Sequence, residues 1–274
     1  MDSVDSILDH LPPHTNQYQY HSFHRFVSNL SFEGARFRQK PDNLDVSQYI
    51  LFTEISPQTY TRDFEQPVRD IISHNEDSYL PQHEALIIKM KGGPHETAHG
   101  EFNRQLIHKL TLMGSADDGL EPIGAKTINA TYRSKEADLA YRPLNLPSGR
   151  SNMWPTLALE SGYTDSQGTL HDNAQFWLSS SGGDVKIVIT LDIDRRNKHF
   201  NVRLYNREPD GTINEQRVTV SQQFGAQNAS VSHAPLIVSF QNLFLRDPTG
   251  NERDIEFGVD DMRRLARGIW NEQF

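Results

Sequence analysis

The sequence predicts a mixed α/β (α+β) fold, a central mixed sheet with flanking helices. Apolar runs of strand length recur at 84–91, 155–164 and 185–194. Helical stripes of period 3.6 stand among and after them, at 94–113, 170–180 and 259–270. Beyond residue 199, alternating segments flank a Pro-Asp-Gly turn, the pattern of antiparallel hairpins that extend a sheet.

Residues 1–83 are rich in Gln, Asn, His and Ser and are broken by Pro12, Pro13, Pro41, Pro57, Pro67 and Pro81. Tyr18, Tyr20, Phe23 and Phe26 suit a short helix or a cover for the core. Residues 48–55 read as a strand and 67–74 as a short helix. No linker composition separates them from the rest, so 1–83 is read as an N-terminal extension packed on a domain spanning 84–274. That domain opens with the strand 84–91, then Gly92-Gly93-Pro94, where Pro94 suits the first helical position. The helix presents Phe102, Leu106, Leu110 and Met113 on one face, and His95 and His99 fall on the same face. Residues 124–132 read as a strand. Asp138 stands near the start of the next, which Leu139, Ala140 and Tyr141 continue.

In 155–164, Leu157, Leu159 and Ser161 point one way and Ala158, Glu160 and Gly162 the other. A helix over 170–180 buries Leu170, Ala174, Trp177 and Leu178, with Gly168 or Thr169 as its cap and Asp172 in its first turn. Lys186 opens the third apolar run and shares parity with Val188, Thr190 and Asp192. Strands are expected at 199–208, 216–222 and 236–240. A last helix turns Met262, Leu265, Ala266 and Ile269 inward. There are no repeats.

The chemistry centres on two acids. Glu160 interrupts an apolar strand, a costly position unless the carboxylate is paired or binds a cation. A loop holding Pro143, Pro147 and Gly149 separates it from Asp138, as suits neighbouring strands, and in-register pairing lets both carboxylates meet on one face. Such a pair makes an oxygen site for Mg²⁺ or Mn²⁺, which can bridge a phosphate and activate a water. Lys186 is then placed to stabilise charge on phosphorus or to position the water. The plain alternative makes Asp138 a turn or strand-edge acid and Glu160 the ion-pair partner of Arg133, Arg142 or Lys186.

This stretch resembles the PD-(D/E)XK, or restriction-endonuclease-like, nuclease superfamily, and more narrowly uncharacterised fungal members of it. Ala137-Asp138 stands where that signature has Pro-Asp, and Glu160-Ser161-Gly162 where it has Glu-x-Lys. The lysine is missing. Some members carry it on a neighbouring element, and Lys186 takes that role here. The resemblance covers roughly 84–194. It implies a restriction-endonuclease-like core and a metal-dependent endonuclease or exonuclease. Asp138 and Glu160 would bind Mg²⁺ or Mn²⁺, Asp138, Glu160 and Lys186 would be catalytic, and His95 and His99 would support them. It implies DNA in preference to RNA and allows a homodimer.

Two other functions stay open. One is a nuclease fold without turnover that binds nucleic acid or a partner, favoured by Gly162 at the lysine position. The other is a zinc metalloprotease, because residues 95–99 spell HETAH, two histidines four apart with a glutamate between them. Against it, the motif opens its helix with no apolar turn ahead to bury it. Its longer extension is absent, with Phe102 where a glycine belongs, and a third ligand must come from a distant acid.

Composition sets the outer limits. The chain has 274 residues, 36% hydrophobic and 23% charged, and no cysteine, which excludes disulfides, thiolate metal sites and cysteine nucleophiles. No run is long and apolar enough to span a membrane. The first residues carry acids and no basic region, unlike a secretory signal, so an intracellular location, nuclear or cytoplasmic, is expected. The net charge of −9 opposes bulk attraction to nucleic acid. Local basic clusters run against it: Arg133, Lys135, Arg142 and Arg150; Arg195 to Arg207; and Arg263, Arg264 and Arg267.

Overall fold

The computed structural model describes residues 6–39, 42–65, 76–123, 126–208 and 210–274. The chain forms two compact units, residues 1–92 with 125–136, and residues 93–124 with 137–274. The expected boundary at 83/84 therefore moves. The strand after it pairs inside unit 1, and a later hairpin returns to that unit.

Unit 1 opens with α1 (Ser6–Asp9), β1 (Asn16–Gln19), α2 (Phe23–Gln39), β2 (Tyr49–Thr53), α3 (Pro57–Asp63), β3 (Glu76–Leu80) and β4 (Ala85–Lys89). The chain then enters unit 2 with α4 (Gly93–Thr111) and β5 (Leu120–Pro122). It returns to unit 1 for β6 (Ile128–Asn129) and β7 (Ser134–Lys135). The strand expected over 124–132 is thus a two-residue rung of a hairpin. The six strands of unit 1 run in the order β1-β2-β4-β3-β7-β6. Phe26, Leu30 and Phe37 form the buried stripe of α2, and Phe26 packs against Phe52 and Phe64 with ring centroids 4.5 and 5.1 Å apart. Ser56 caps α3 by accepting from Thr59 N, ahead of Pro57 at the first helical position. The short helix expected over 67–74 lies outside the described residues.

Unit 2 continues with β8 (Leu139–Pro143), β9 (Leu157–Tyr163), α5 (Gln167–Ser180), β10 (Ile187–Ile193), β11 (His199–Arg207), β12 (Ile213–Ser221), β13 (Ser230–Ser232), β14 (Leu236–Val238), α6 (Phe240–Phe244), β15 (Ile255–Phe257) and α7 (Val259–Gln273). Seven strands form one mixed sheet, β13-β12-β11-β10-β9-β8-β5. Among the described strands of this sheet only β9 and β10 pair in parallel, and α5 is the crossover between them. The fold is α+β, with mixed sheets and flanking helices. No helix among the described residues is long and apolar enough to cross a membrane.

The helical stripes are buried as the periodicity predicts: Phe102, Leu106 and Leu110 on α4, Leu170, Ala174 and Trp177 on α5, Met262, Leu265 and Ile269 on α7. The α5 cap differs. Ser166 occupies the position and sends its hydroxyl to Tyr163 O. Helices cover both faces of the seven-stranded sheet. One face, which carries Glu160 and Asp192, lies under α5. The other face holds α4, with α7 antiparallel along it. Lys109 pairs with Asp261 at 2.9 Å near one end. Farther along, Gly268 approaches so closely that a Cβ there would stand 3.1 Å from Thr97 Cγ2. A side chain at 268 would crowd Thr97, on the turn that carries His95 and His99.

Candidate functional site

The sequence brings Asp138 and Glu160 to adjacent strands, and the structure points their carboxylates to different partners. The β8–β9 ladder ends at Leu139↔Leu159, so Asp138 lies just beyond it and is not bound by strand alternation. Its Oδ2 accepts the backbone N–H of Ser161 at 2.8 Å and the Ser161 hydroxyl at 3.2 Å. The same oxygen lies 3.1 Å from His95 Nε2 on α4. His95 is 1% exposed and the Asp138 side chain 5%. The carboxylate thus replaces a ladder carbonyl and holds an imidazole with the same atom.

Glu160 points to the opposite face, under α5. It is wholly buried. Its Oε1 accepts Trp177 Nε1–H at 2.7 Å and its Oε2 accepts Asn173 Nδ2–H at 3.4 Å. Both oxygens are therefore engaged by α5. The expectation that the two acids converge on one cation does not fit this arrangement. Asp138 turns back along β9 toward α4, while strand alternation sends Glu160 to α5.

Lys186 does not join either acid. The parallel register sets Ile187 beside Leu157 and Thr190 beside Glu160. Lys186 therefore stands four residues from the level of Glu160, about 13 Å along the sheet at 3.3 Å per residue. Burial, then the charge of Arg150, lowers the pKa of its ammonium. Lys186 lies one residue before β10, and its level along the sheet removes it from the centre. Asp192 is the group that shares the face of Glu160 nearer the carboxylate, beside Gly162. It is 2% exposed and accepts Gln167 Nε2–H at 3.3 Å through Oδ2, while Oδ1 is buried without a hydrogen-bond partner. Asn201, its cross-strand neighbour, accepts from Arg217 and Thr219 through Oδ1 and pulls the Asp192 pKa down against burial.

Burial raises the Asp192 pKa against the opposing pull of Arg203. A raised carboxylate pKa favours the protonated fold, so this stabilising contribution is present at low pH and is lost as pH rises above the ordinary value of 3.8. Asp192→Asn is accordingly expected to melt higher than the parent at pH 7, with the gap closing as the pH approaches 3.8. Thermal melts across that range check it. A lower melting temperature for the variant at pH 7 contradicts the assignment.

On α4, the two histidines expected only to support the acids come together with Glu96. One donor atom each from His95, Glu96 and His99 lies within 4.8 Å of the others, and among the described residues this is the cluster of three or more such groups able to hold a cation. Glu96 Oε1 is 3.3 Å from His95 Nδ1. Its Oε2 is 3.3 Å from His99 Nε2, near enough for an ion pair but out of line for a hydrogen bond, so His99 Nε2 is buried with no hydrogen-bond partner. His95, then His99, holds the half-exposed Glu96 carboxylate well below the usual range. The expectation that nothing buries the motif fails for His95, because the carboxylate of Asp138 and the packing of α4 on the sheet enclose it.

The donor chemistry fits a divalent cation here better than at Asp138 and Glu160. Two imidazoles and a carboxylate suit Mn²⁺, Zn²⁺ and similar ions more than Mg²⁺. Asp138 supplies the outer carboxylate that metal-bound histidines commonly have on the far ring nitrogen. The HETAH spelling carried this signal. Asp138 as its companion did not show in the sequence, since tertiary packing brings it to α4.

No family model matches the chain, and no curated protein matches it. Among solved structures, one similar to it is a protein from Anabaena variabilis described as a candidate nuclease belonging to DUF820. The two are 13% identical, the match covers 76% of this chain and 97% of that one, and the TM-score is 0.42. The likeness assigns no role to any residue here.

Proposed function

We propose that the chain is a divalent-cation-dependent hydrolase of nucleic-acid phosphodiesters, DNA in the first place, with its cation held on α4 by His95, Glu96 and His99. The observation that carries this reading is the three donors within 4.8 Å, backed by the buried carboxylate of Asp138 on His95 Nε2. The nucleic-acid part comes from the resemblance of roughly residues 84–194 to metal-dependent nucleases. A cation bound there would lower the pKa of a water and offset charge on the phosphate. The protein's own contributions are positional. Ser161 N–H and Oγ–H fix Asp138. With a cation bound, Asp138 would take the Nε2–H of His95 and leave Nδ1 as a lone-pair donor beside Glu96. His99 offers an Nε2 that no other group engages in a hydrogen bond. Glu96, ionised and half-exposed, faces the solvent from which cation and substrate arrive.

The protease reading of the same motif needs a glutamate free to act as base. Glu96 instead lies between the two imidazoles, in the place of a ligand. A second reading, a nuclease-like module that binds without cutting, is favoured by the separation of Lys186 and Glu160 from Asp138.

Cleavage of single- and double-stranded DNA and of RNA by the purified protein decides between these readings. The assays use Mn²⁺, Mg²⁺ or EDTA, beside His99→Ala and Lys186→Ala. Cutting is expected with Mn²⁺ above Mg²⁺, abolished in His99→Ala and unchanged in Lys186→Ala. Cutting that survives His99→Ala but is lost in Lys186→Ala contradicts the placement on α4. Binding without cutting favours the second reading.

A further inference from the structure

Unit 2 contains a cavity of about 430 Å³ between α7 and the loop that leaves β12. Gln222, Gln227 and Asn228 line it from the loop, and Asp260, Arg263, Arg267 and Trp270 from the helix. The arginines stand four apart and so share one face of α7. Arg263 is braced by Ala229 O at 3.2 Å and by Asp260 at 3.4 Å. Arg267 is exposed and has no ion pair among the described residues. Trp270 is only 5% exposed, yet its indole N–H has no acceptor. Lys198 Nζ lies 5.9 Å from the Trp270 ring centre.

The loop itself holds out an aromatic ring. Gln222 Nε2 donates to Ala226 O at 2.6 Å, and Gly225 adopts φ +81°, closing a tight turn. Phe224, at the tip of that turn, is fully exposed, at 108% of its reference area. A lone exposed apolar residue is ordinary on a protein surface. A fully exposed ring on a braced turn, beside a basic cavity lined by the amides of Gln227 and Asn228, matches what an unpaired nucleotide needs: a stacking surface, a phosphate partner and donors for base edges.

We infer that this cavity and its rim bind single-stranded nucleic acid, with Arg263 and Arg267 on a phosphate and Phe224 against a base. A duplex fits less well. Its bases are already stacked, and a chain of net charge −9 offers it no broad basic face. The inference rests on the nucleic-acid reading for the class of ligand but not on turnover.

The test is fluorescence anisotropy of a labelled oligothymidylate with the full chain in EDTA, so that binding is read without cleavage. Phe224→Ala and Arg267→Ala change exposed side chains, and melting curves confirm that both fold. Phe224→Ala is expected to weaken binding about tenfold, as loss of one stacked base does. Arg267→Ala should reduce the slope of log affinity against log salt by about 0.7. Affinity unchanged in both variants overturns the inference, as does a wild-type chain that does not bind or that prefers a duplex of equal length. Binding that depends on Phe224 in a protein that never cuts removes the hydrolase and leaves this surface standing. Cutting that persists with binding insensitive to Phe224 and Arg267 does the reverse.

Discussion

Replacing Glu160 by alanine is expected to lower the melting temperature of the metal-free protein by roughly 6–12 °C. The change strands two donors, Trp177 Nε1–H and Asn173 Nδ2–H, in a fully buried site. Each unpaired group costs about 1–3 kcal/mol, and after partial relaxation the sum is near ~3 kcal/mol. For a chain of this size, each kcal/mol moves the midpoint by about 2–4 °C. The sign carries the information. A carboxylate kept to bind a cation is a liability when the cation is absent, and its removal leaves stability unchanged or raises it. A large drop marks Glu160 as the polar anchor that seats α5 on β9. A rise of the melting temperature in EDTA would return it to the role of ligand.

Asp138→Asn is expected to weaken divalent-cation binding by about 10- to 100-fold without unfolding the protein. Loss of a carboxylate behind a metal-bound histidine typically has an effect of that size. The amide keeps the shape and an oxygen for Ser161 N–H, but it no longer offers a charged acceptor to His95 Nε2. The imidazole is then free to turn or to take the other tautomer, and Nδ1 is no longer held toward Glu96. Calorimetric titration with Mn²⁺ reads the loss. An unchanged affinity would mean that Asp138 acts only as the end-cap of the β8–β9 ladder.

Much of the architecture was legible because it depends on local pattern. The stripes of α4, α5 and α7 and the alternation of β9 and β10 arise from residues a few positions apart, and all of them are buried as the periodicities require. What failed depends on distant partners. Nothing local says that β4 pairs with β2 and β3, so the unit boundary fell too early. Three-residue β15 is too short to show a period. Parity within β10 is legible from one strand, but the level of Lys186 relative to Glu160 is not, because the parallel register with β9 sets it. Asp138 sits one residue past its ladder, where alternation stops governing direction. The carboxylate could go to Glu160 or turn back to Ser161, and the donors on Ser161 and His95 decide for the second. The HETAH cluster was visible as a motif. Its companion acid was not, since it lies on another element more than forty residues away.

The most direct measurement is the Mn²⁺ affinity of the wild-type chain, His99→Ala and Glu160→Gln, determined by titration calorimetry on folded protein. If the cation belongs to α4, affinity is lost in His99→Ala and preserved in Glu160→Gln, whose side chain keeps an oxygen for the Trp177 N–H. Affinity lost in Glu160→Gln and preserved in His99→Ala would contradict this and would put the cation back between the two strand acids.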